Sequence, residues 1–295
     1  MNKKKLKIVT LLVRHGTGKY PNALEDIQAL FARQLPDVVH DCVIVDNTLP
    51  PGHEEALQPG VTLIGGSNAA WEFSAWDSGV AYLGSRLHAY DFVHLATSAF
   101  KQLYVAYLER FDGRMLDLLA GRGVAIGHID YYNEPVDLLG VGCQSWVRTS
   151  FVFLSPTEVK ILGSFVSVTS GVDFFSRDPR SPFKENAPIS GGYRRNILGW
   201  LTGDGTEQGV EWHSRFKLDI DTLPFFESKT LAIFNEQMLS NRLRAQGCRL
   251  VDATWAATRA GRIAKGDVES FGVIPPWQIQ VTSRDRDAGP ESLLV

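Results

Sequence analysis

Residues 65–100 read GGSNAAWEFSAWDSGVAYLGSRLHAYDFVHLATSAF. Gly65-Gly66-Ser67-Asn68 is a turn, and Phe73, Trp76, Val80 and Leu83 then recur at the spacing of one helix face. Phe92–Leu95 (FVHL) is a short buried strand, and Val61–Ile64 just before the turn is another, so the stretch is one strand–helix–strand unit. Working outward, the same alternation holds from the start of the chain. Leu6–Val13 is a strand followed by a Gly-containing loop, His15–Tyr20. A helix opens near Pro21 with Leu24, Ile27, Phe31 and Leu35 inward. Asp41–Asp46 is the next strand, closed by the turn Asn47–Gly52. Repeated strand–helix–strand units predict an α/β fold, a mostly parallel central sheet flanked by helices. In such sheets ligands bind beyond the carboxyl ends of the strands, here the loops after Val13, Asp46, Ile64 and Leu95.

The second half is less regular. Trp146–Leu154 reads as one strand, Pro156–Phe165 as a short helix, Phe174–Arg195 as a long loop, and Leu198–Val210 as a Gly-rich connection. Asn235–Gln246 reads as a helix stopped by Gly247. The expected organisation is one domain, 1–258, with a C-terminal extension, 259–295, frayed from Ser283 onward.

Composition narrows the function. Across 295 residues, 30 Lys and Arg stand against 33 Asp and Glu, a net charge of −3, which argues against bulk nucleic-acid binding. Cys42, Cys143 and Cys248 have neither the number nor the spacing of a disulfide framework or zinc site. The basic start and the short apolar run Ile8–Val13 lack a small-residue cleavage site, and no apolar stretch of about 18 residues occurs. The expectation is a cytoplasmic protein whose contact with membranes is at most peripheral.

Two phosphate motifs are approached without being completed. Arg14-His15-Gly16 after a strand resembles the signature of histidine phosphatases, in which the His is phosphorylated; the second His segment has no match, Gly127-His128-Ile129 being nearest. Gly16-Thr-Gly18-Lys19 lacks the leading spaced Gly and the Ser/Thr after Lys that a P-loop needs.

The 65–100 stretch resembles the GT-A glycosyltransferases, especially the bacterial rhamnan-synthesis and surface-polysaccharide group. Phe73-Ser-Ala75-Trp76-Asp77-Ser-Gly79 is similar to that group's helix core, and Tyr90–Leu95 to the strand after it. The plain alternative for Phe73 and Trp76 is an ordinary amphipathic helix. Asn235-Glu236-Gln-Met-Leu239-Ser-Asn-Arg242-Leu243, closed by Gly247, resembles the family's E-D-x-x-L-x-x-R-L-x-x-x-G signature, with Asn235 replacing the first acid. The resemblance implies that Glu236 is the general base of an inverting transfer; at a helix start the dipole would keep it ionised. An Asn-Glu pair is also how an ordinary helix begins.

The resemblance spans residues 6–255 and implies a nucleotide-sugar donor, with a saccharide or lipid-linked saccharide as acceptor. Asp46, Asp77 and Lys19 are expected to bind the donor, and Arg14, His213 and Arg215 its diphosphate, with Lys101 a further cation. Where the family carries metal-holding carboxylates this chain has Ala96-Thr97-Ser98. The Thr97 and Ser98 hydroxyls are therefore expected to act with cations in place of Mg or Mn. Asp219-Ile-Asp221 is read as a surface coincidence. His213 is also a catalytic candidate. Arg148, Trp200 and Trp212 are acceptor-side candidates, since indole faces stack on sugars. The competing functions are phosphoryl transfer through His15 and non-catalytic carbohydrate binding.

Overall fold

The computed structural model describes residues 5–102, 105–203, 215–264 and 269–288. In chain order the elements are β1 (Lys7–Arg14), α1 (Ala23–Gln34), β2 (Val39–Asp46), β3 (Glu54–Gln58), β4 (Val61–Gly65), α2 (Trp71–Leu83) and β5 (Phe92–Thr97). There follow α3 (Gly113–Leu119), β6 (Val124–Gly127), β7 (Ile129–Leu138), β8 (Val141–Val147), β9 (Phe151–Leu154) and α4 (Pro156–Leu162). The chain continues through α5 (Gly191–Thr202), α6 (Leu223–Ala245), β10 (Arg249–Asp252), α7 (Ala253–Gly261) and α8 (Trp277–Ala288).

The chain divides into two compact units. The first draws on Met1–Ile129, Val147–Phe165 and Arg242–Val295, the second on Asp130–Trp146 and Val166–Asn241. The first unit holds an eight-stranded sheet in the order β10-β6-β9-β5-β1-β2-β4-β3. Only β9 and β3 run antiparallel to their neighbours. This is the expected α/β class with a mostly parallel sheet.

Strand burial follows from sheet type. Ile8–Val13 is buried without alternation, because a central parallel strand is covered on both faces. Helix α1 buries Ala23, Ile27, Leu30 and Phe31 against the sheet. Gly79 lets α2 approach closely, since a Cβ there would lie 3.0 Å from Leu11 Cδ2 and 3.3 Å from Val45 Cγ2. Trp76 is fully buried and donates its indole N–H to the Leu11 carbonyl at 3.2 Å. Such a donor needs a buried acceptor, and the strand supplies it.

The second unit contains the β7–β8 hairpin, α5 and most of α6. Its own core is built on Tyr132, Trp146, Phe174, Tyr193, Phe226 and Phe234.

Several expectations are corrected. The single strand over Trp146–Leu154 is two: β8 ends at Val147, a turn over Arg148–Ser150 follows, and β9 begins at Phe151. Leu198–Thr202, the start of the connection read to Val210, and Gly191–Arg195, the end of the loop read to Arg195, belong to α5, which Ser190 caps by accepting from the Tyr193 N–H; residues 204–210 of that connection lie outside the described residues. The helix expected from Asn235 starts twelve residues earlier, at Leu223. No boundary appears at 258, and Ser283 is not the start of a frayed tail. Helix α8 is fastened to β10: Gln280 accepts from Asp252 N at 2.8 Å and donates to Leu250 O at 3.0 Å. Arg284 pairs with fully buried Asp252 at 2.8 Å. The C-terminal segment thereby meets the edge of β10 that no strand pairs among the described residues.

Candidate functional site

The parallel strands β4, β2, β1 and β5 lie side by side in that order, so the chain walks outward from β1 and then crosses back to its other side. The reversal falls between β1 and β5, where a doubly wound sheet opens a crevice at its carboxyl edge. Arg14 and His15 end β1, Asp46 and Asn47 end β2, and Thr97 and Ser98 end β5.

Asp46 organises this edge. Its Oδ2 accepts from Arg14 Nε at 2.6 Å, and its Oδ1 accepts from Gly16 N at 3.0 Å, Thr48 N at 2.9 Å and Thr48 Oγ1 at 2.7 Å. Burial works to raise its pKa, but the hydrogen bonds from Thr48, Gly16 and Arg14 outweigh it and hold the carboxyl below its ordinary value. Both oxygens are thus committed within the chain, so Asp46 shapes the loops where a direct contact to the donor was expected. Gly16 adopts φ +67°, the left-handed turn that aims its N–H at Asp46. Ser98 N donates to Val13 O at 2.8 Å and Thr97 N to Ser150 O at 3.1 Å, pinning the β5 end to β1 and to the turn before β9.

That turn carries Arg148. It is half-buried, with its backbone N–H donated to His128 O at 2.9 Å. Because Phe151 pairs with Ala96 across the antiparallel β9–β5 ladder, Arg148 belongs to the same edge as Thr97. The structure therefore brings Arg14, His15, Thr97, Ser98 and Arg148 to one end of the sheet, with exposed Lys19 on the loop after β1. Lys101 is elsewhere engaged, in a surface pair with Asp26 at 2.7 Å.

On the other side of β1, the β4 end packs tightly on the turn after β2. A Cβ on Gly65 would run into the Pro50 carbonyl, and one on Gly66 into the Asn47 amide. Asn47 Nδ2 donates to Asn68 Oδ1 at 3.2 Å and Trp71 O at 3.3 Å. Trp71 opens α2 at φ +53°, a strained conformation for an aromatic residue.

Other expected site residues have structural duties. Asp77 accepts from Ser164 Oγ at 2.5 Å and Phe165 N at 2.7 Å, which fastens the chain leaving α4 to α2. In the second unit, Trp200 stacks on Tyr132 (centroids 5.3 Å apart, 20° between planes) and leans on Trp146 at 5.7 Å. Its indole is part of an aromatic cluster where an acceptor-side platform was expected. Arg215 is exposed and packs over Gly203. Trp212 and His213 lie outside the described residues. Asp219, as expected, belongs to a surface turn: its Oδ1 accepts from the Asp221 and Thr222 N–H groups at 3.2 Å each, ahead of α6.

Glu236 sits in the middle of α6, so the helix-start argument for its ionisation does not hold. Its neighbours fix that turn. Asn235 accepts from Ser167 N at 2.6 Å and Val168 N at 2.8 Å, and donates to Val168 O at 3.0 Å. Gln237 donates to the Tyr132 hydroxyl at 2.7 Å. Glu236 is half-buried, close enough for its charge to add to the dominant effect of burial in pushing the Tyr132 and Tyr193 hydroxyls well above the ordinary tyrosine pKa.

Among the described residues the β5 end offers hydroxyls where a divalent cation would favour carboxylates. Ala96-Thr97-Ser98 supplies hydroxyls, and the carboxylate at the neighbouring strand ends is Asp46, already saturated. Among the described residues no cluster of three His, Cys, Asp or Glu is arranged to hold a metal.

Sequence reasoning missed Arg284 and Asp252, which join His128 on this edge. His128, after β6, lies 3.5 Å from Arg284, which also donates to Ile129 O at 2.9 Å and pairs with Asp252 at the end of β10. Only His128 had a signal, and the phosphatase comparison used it up.

No family model matches the chain, and no curated protein is similar to it in sequence. Among solved structures, it is similar to 4-diphosphocytidyl-2C-methyl-D-erythritol synthase, at 15% identity and TM-score 0.34, over 57% of this chain and 82% of that one. It is also similar to the mannosyltransferase PcManGT from Pyrobaculum calidifontis, in complex with GDP-Man and Mn2+, at 13% identity and TM-score 0.33, over 98% of this chain and 82% of that one.

Proposed function

We propose that the chain is a glycosyltransferase that moves a sugar from a nucleoside-diphosphate donor to a saccharide acceptor. The observation that carries this reading is the strand reversal between β1 and β5. Its two strand ends present Arg14, His15, Thr97 and Ser98, the turn before β9 adds Arg148, and the Asp46 web holds the β1 loop in shape. Cations, hydroxyls and loop N–H groups at that position suit a diphosphate. The guanidinium N–H groups of Arg14 and Arg148 and the Thr97 and Ser98 hydroxyls take the diphosphate oxygens, and Lys19 lies on the outer loop. The transfer is metal-independent in this reading, because the strand-end donors are hydroxyls.

Glu236 is the general base. The acceptor hydroxyl attacks the anomeric carbon as Glu236 takes its proton. The bond from that carbon to the diphosphate oxygen breaks, and the nucleoside diphosphate leaves with the electron pair. One displacement inverts the anomeric centre. We read surface-polysaccharide synthesis as the process this step serves, on the resemblance of residues 65–100 alone.

The test is a thermal-shift series with UDP, dTDP, GDP and CMP, each with and without EDTA or Mn2+. A ligand that binds only the native state raises its melting temperature by mass action. The reading expects a nucleotide-dependent rise that EDTA leaves unchanged. Strict metal dependence overturns the account of Thr97 and Ser98, and stable phosphorylation of His15 by a phosphate ester would favour phosphoryl transfer instead.

A further inference from the structure

Ile129 leaves the sheet two residues past the end of β6 and is fully buried, so its peptide groups need partners inside the protein. Both partners are side chains from the C-terminal elements. Asp252, at the end of β10, accepts from Ile129 N at 3.1 Å, and Arg284, on α8, donates from Nη1 to Ile129 O at 2.9 Å. The same Nη1 donates to Asp252 Oδ2 at 2.8 Å, so the pair closes a clip around one residue. The other Asp252 oxygen caps α7, accepting from Thr254 N and Trp255 N at 3.1 Å each. The Arg284 side chain is 11% exposed and that of Asp252 is fully buried. A buried ion pair adds little net stability over an apolar pair of the same size. Nor is it needed to dock α8, because Gln280 already accepts from Asp252 N at 2.8 Å and donates to Leu250 O at 3.0 Å and Pro275 O at 2.9 Å.

From the clip a run of backbone bonds leads to the strand reversal. His128, beside Ile129, accepts the Arg148 N–H on its carbonyl at 2.9 Å. The turn that Arg148 opens is joined to the β5 end by Thr97 N donating to Ser150 O at 3.1 Å. All of these residues belong to the first unit. We propose that Arg284 is a positioning residue for diphosphate binding: by holding the Ile129 peptide it sets the turn that carries Arg148 against Thr97. Arg284 touches no ligand. The inference rests on the transferase reading for the ligand and on this run of bonds for the coupling. Small misplacements of such a remote support are costly, since binding groups act only in the right geometry.

The test is calorimetric titration of the full chain with inorganic pyrophosphate in EDTA. Arg284→Gln takes the donor away from Ile129 O and is expected to weaken binding roughly 10-fold. Arg284→Lys returns a charged donor to the clip and is expected to recover most of that loss. Gln280→Met loosens α8 with the Asp252 and Arg284 side chains kept, and is expected to lower the melting temperature at unchanged pyrophosphate affinity. Equal losses of affinity in Arg284→Gln and Gln280→Met would make α8 a brace alone and overturn the proposal. Hydrogen exchange of the parent needs no variant: by reciprocity, pyrophosphate should slow exchange of the α8 amides by up to the same factor, roughly 10. Exchange in α8 that ignores pyrophosphate overturns the proposal. A parent that binds while Arg284→Gln matches it overturns this inference alone, whereas a parent that binds no pyrophosphate overturns the diphosphate reading and this inference with it.

Discussion

Arg14 and Asp46 are register partners at the ends of two adjacent parallel strands, and their side chains close an ion pair at 2.6 Å. The carboxylate also collects the Gly16 and Thr48 N–H groups, so one side chain ties the loops after β1 and β2 together. Asp46→Asn would turn one acceptor oxygen into a donor facing Arg14 or the loop. It is expected to cost about 2–4 kcal/mol, the range for breaking a largely buried, multiply bonded pair. Urea unfolding followed by circular dichroism measures it, and the nucleotide thermal shift should weaken in parallel. The pair should fail in acid: a carboxyl whose pKa is lowered on folding stabilises above its unfolded value and loses that contribution as pH falls through the folded one. A stable Asp46→Asn protein with an intact nucleotide response would mean that the loop geometry is held by other contacts.

Glu236 lies between two side chains that anchor it, Asn235 on the 167–168 backbone and Gln237 on Tyr132. Glu236→Gln preserves shape and removes the base. Transfer is expected to fall by roughly 10²-fold or more, with the donor-induced thermal shift kept. Turnover close to that of the parent would remove the assigned role.

The legible part of the fold was the part fixed by periodicity. Ile8–Val13 and Asp41–Asp46 announce buried strands through their apolar runs, and Phe73, Trp76, Val80 and Leu83 announce the helix that follows Gly66. What the sequence concealed were features set by tertiary partners. Strand β10 is four residues long and is recognisable only once Gln280 and Arg284 are seen holding α8 against it. The start of α6 carries its own signal, Thr222 ahead of Leu223 with Pro224 in the first turn, but Asn235-Glu236, inside the same helix, has the look of a second start. At the site, residue types were readable and commitments were not. Asp46 and Asp77 are carboxylates at plausible places, but the backbone N–H groups that occupy them come from segments whose approach no local pattern encodes.

A buried chain of polar groups crosses the sheet. Thr10 Oγ1 lies 2.7 Å from His40 Nε2 and 3.0 Å from His94 Nδ1, and each ring stacks on a phenylalanine, Phe31 and Phe153 respectively. Burial lowers His40 to about 4, against a smaller raising effect of Asp41, and takes His94 well below its ordinary value with a further push from His40. His94 Nε2 has no partner among the described residues, which favours leaving it as a bare lone pair over an orphaned N–H. The consistent arrangement has His94 Nδ1 donating to Thr10, and Thr10 donating to His40. Both histidines then stay neutral when folded, while below about pH 6.5 the unfolded chain protonates them. Their contribution is complete above the unfolded pKa near 6.5 and is lost on acidification. Stability should drop by about 2 kcal/mol per histidine between about pH 7.5 and about pH 5. Denaturant titrations at the two pH values check this, with His40→Gln expected to halve the drop. A flat profile would mean that both rings take up protons in the folded protein as readily as in the unfolded chain, and a drop of half the size that one of them does.

Gly65 and Gly79 separate two reasons for glycine. At Gly79 a methyl group would press on the ends of Leu11 and Val45, side chains that can give by a few tenths of an ångström. Alanine there also gains about 1 kcal/mol of helix propensity, so Gly79→Ala should change stability by no more than about 1 kcal/mol. At Gly65 the obstacle is the backbone carbonyl of Pro50, which cannot move without opening the turn from Asn47 to Gly52. That turn leaves β2 just after Asp46, and its Asn47 amide holds Asn68 and the strained Trp71. Gly65→Ala is therefore expected to cost about 2–3 kcal/mol or more through overpacking. It should also lower the nucleotide response beyond what stability explains, because the loops after β2 and β4 shift together. Melting temperatures of the two variants with and without nucleotide distinguish the cases. If Gly65→Ala is as well tolerated as Gly79→Ala, the turn is not rigid and the carboxyl edge of the sheet is not preorganised.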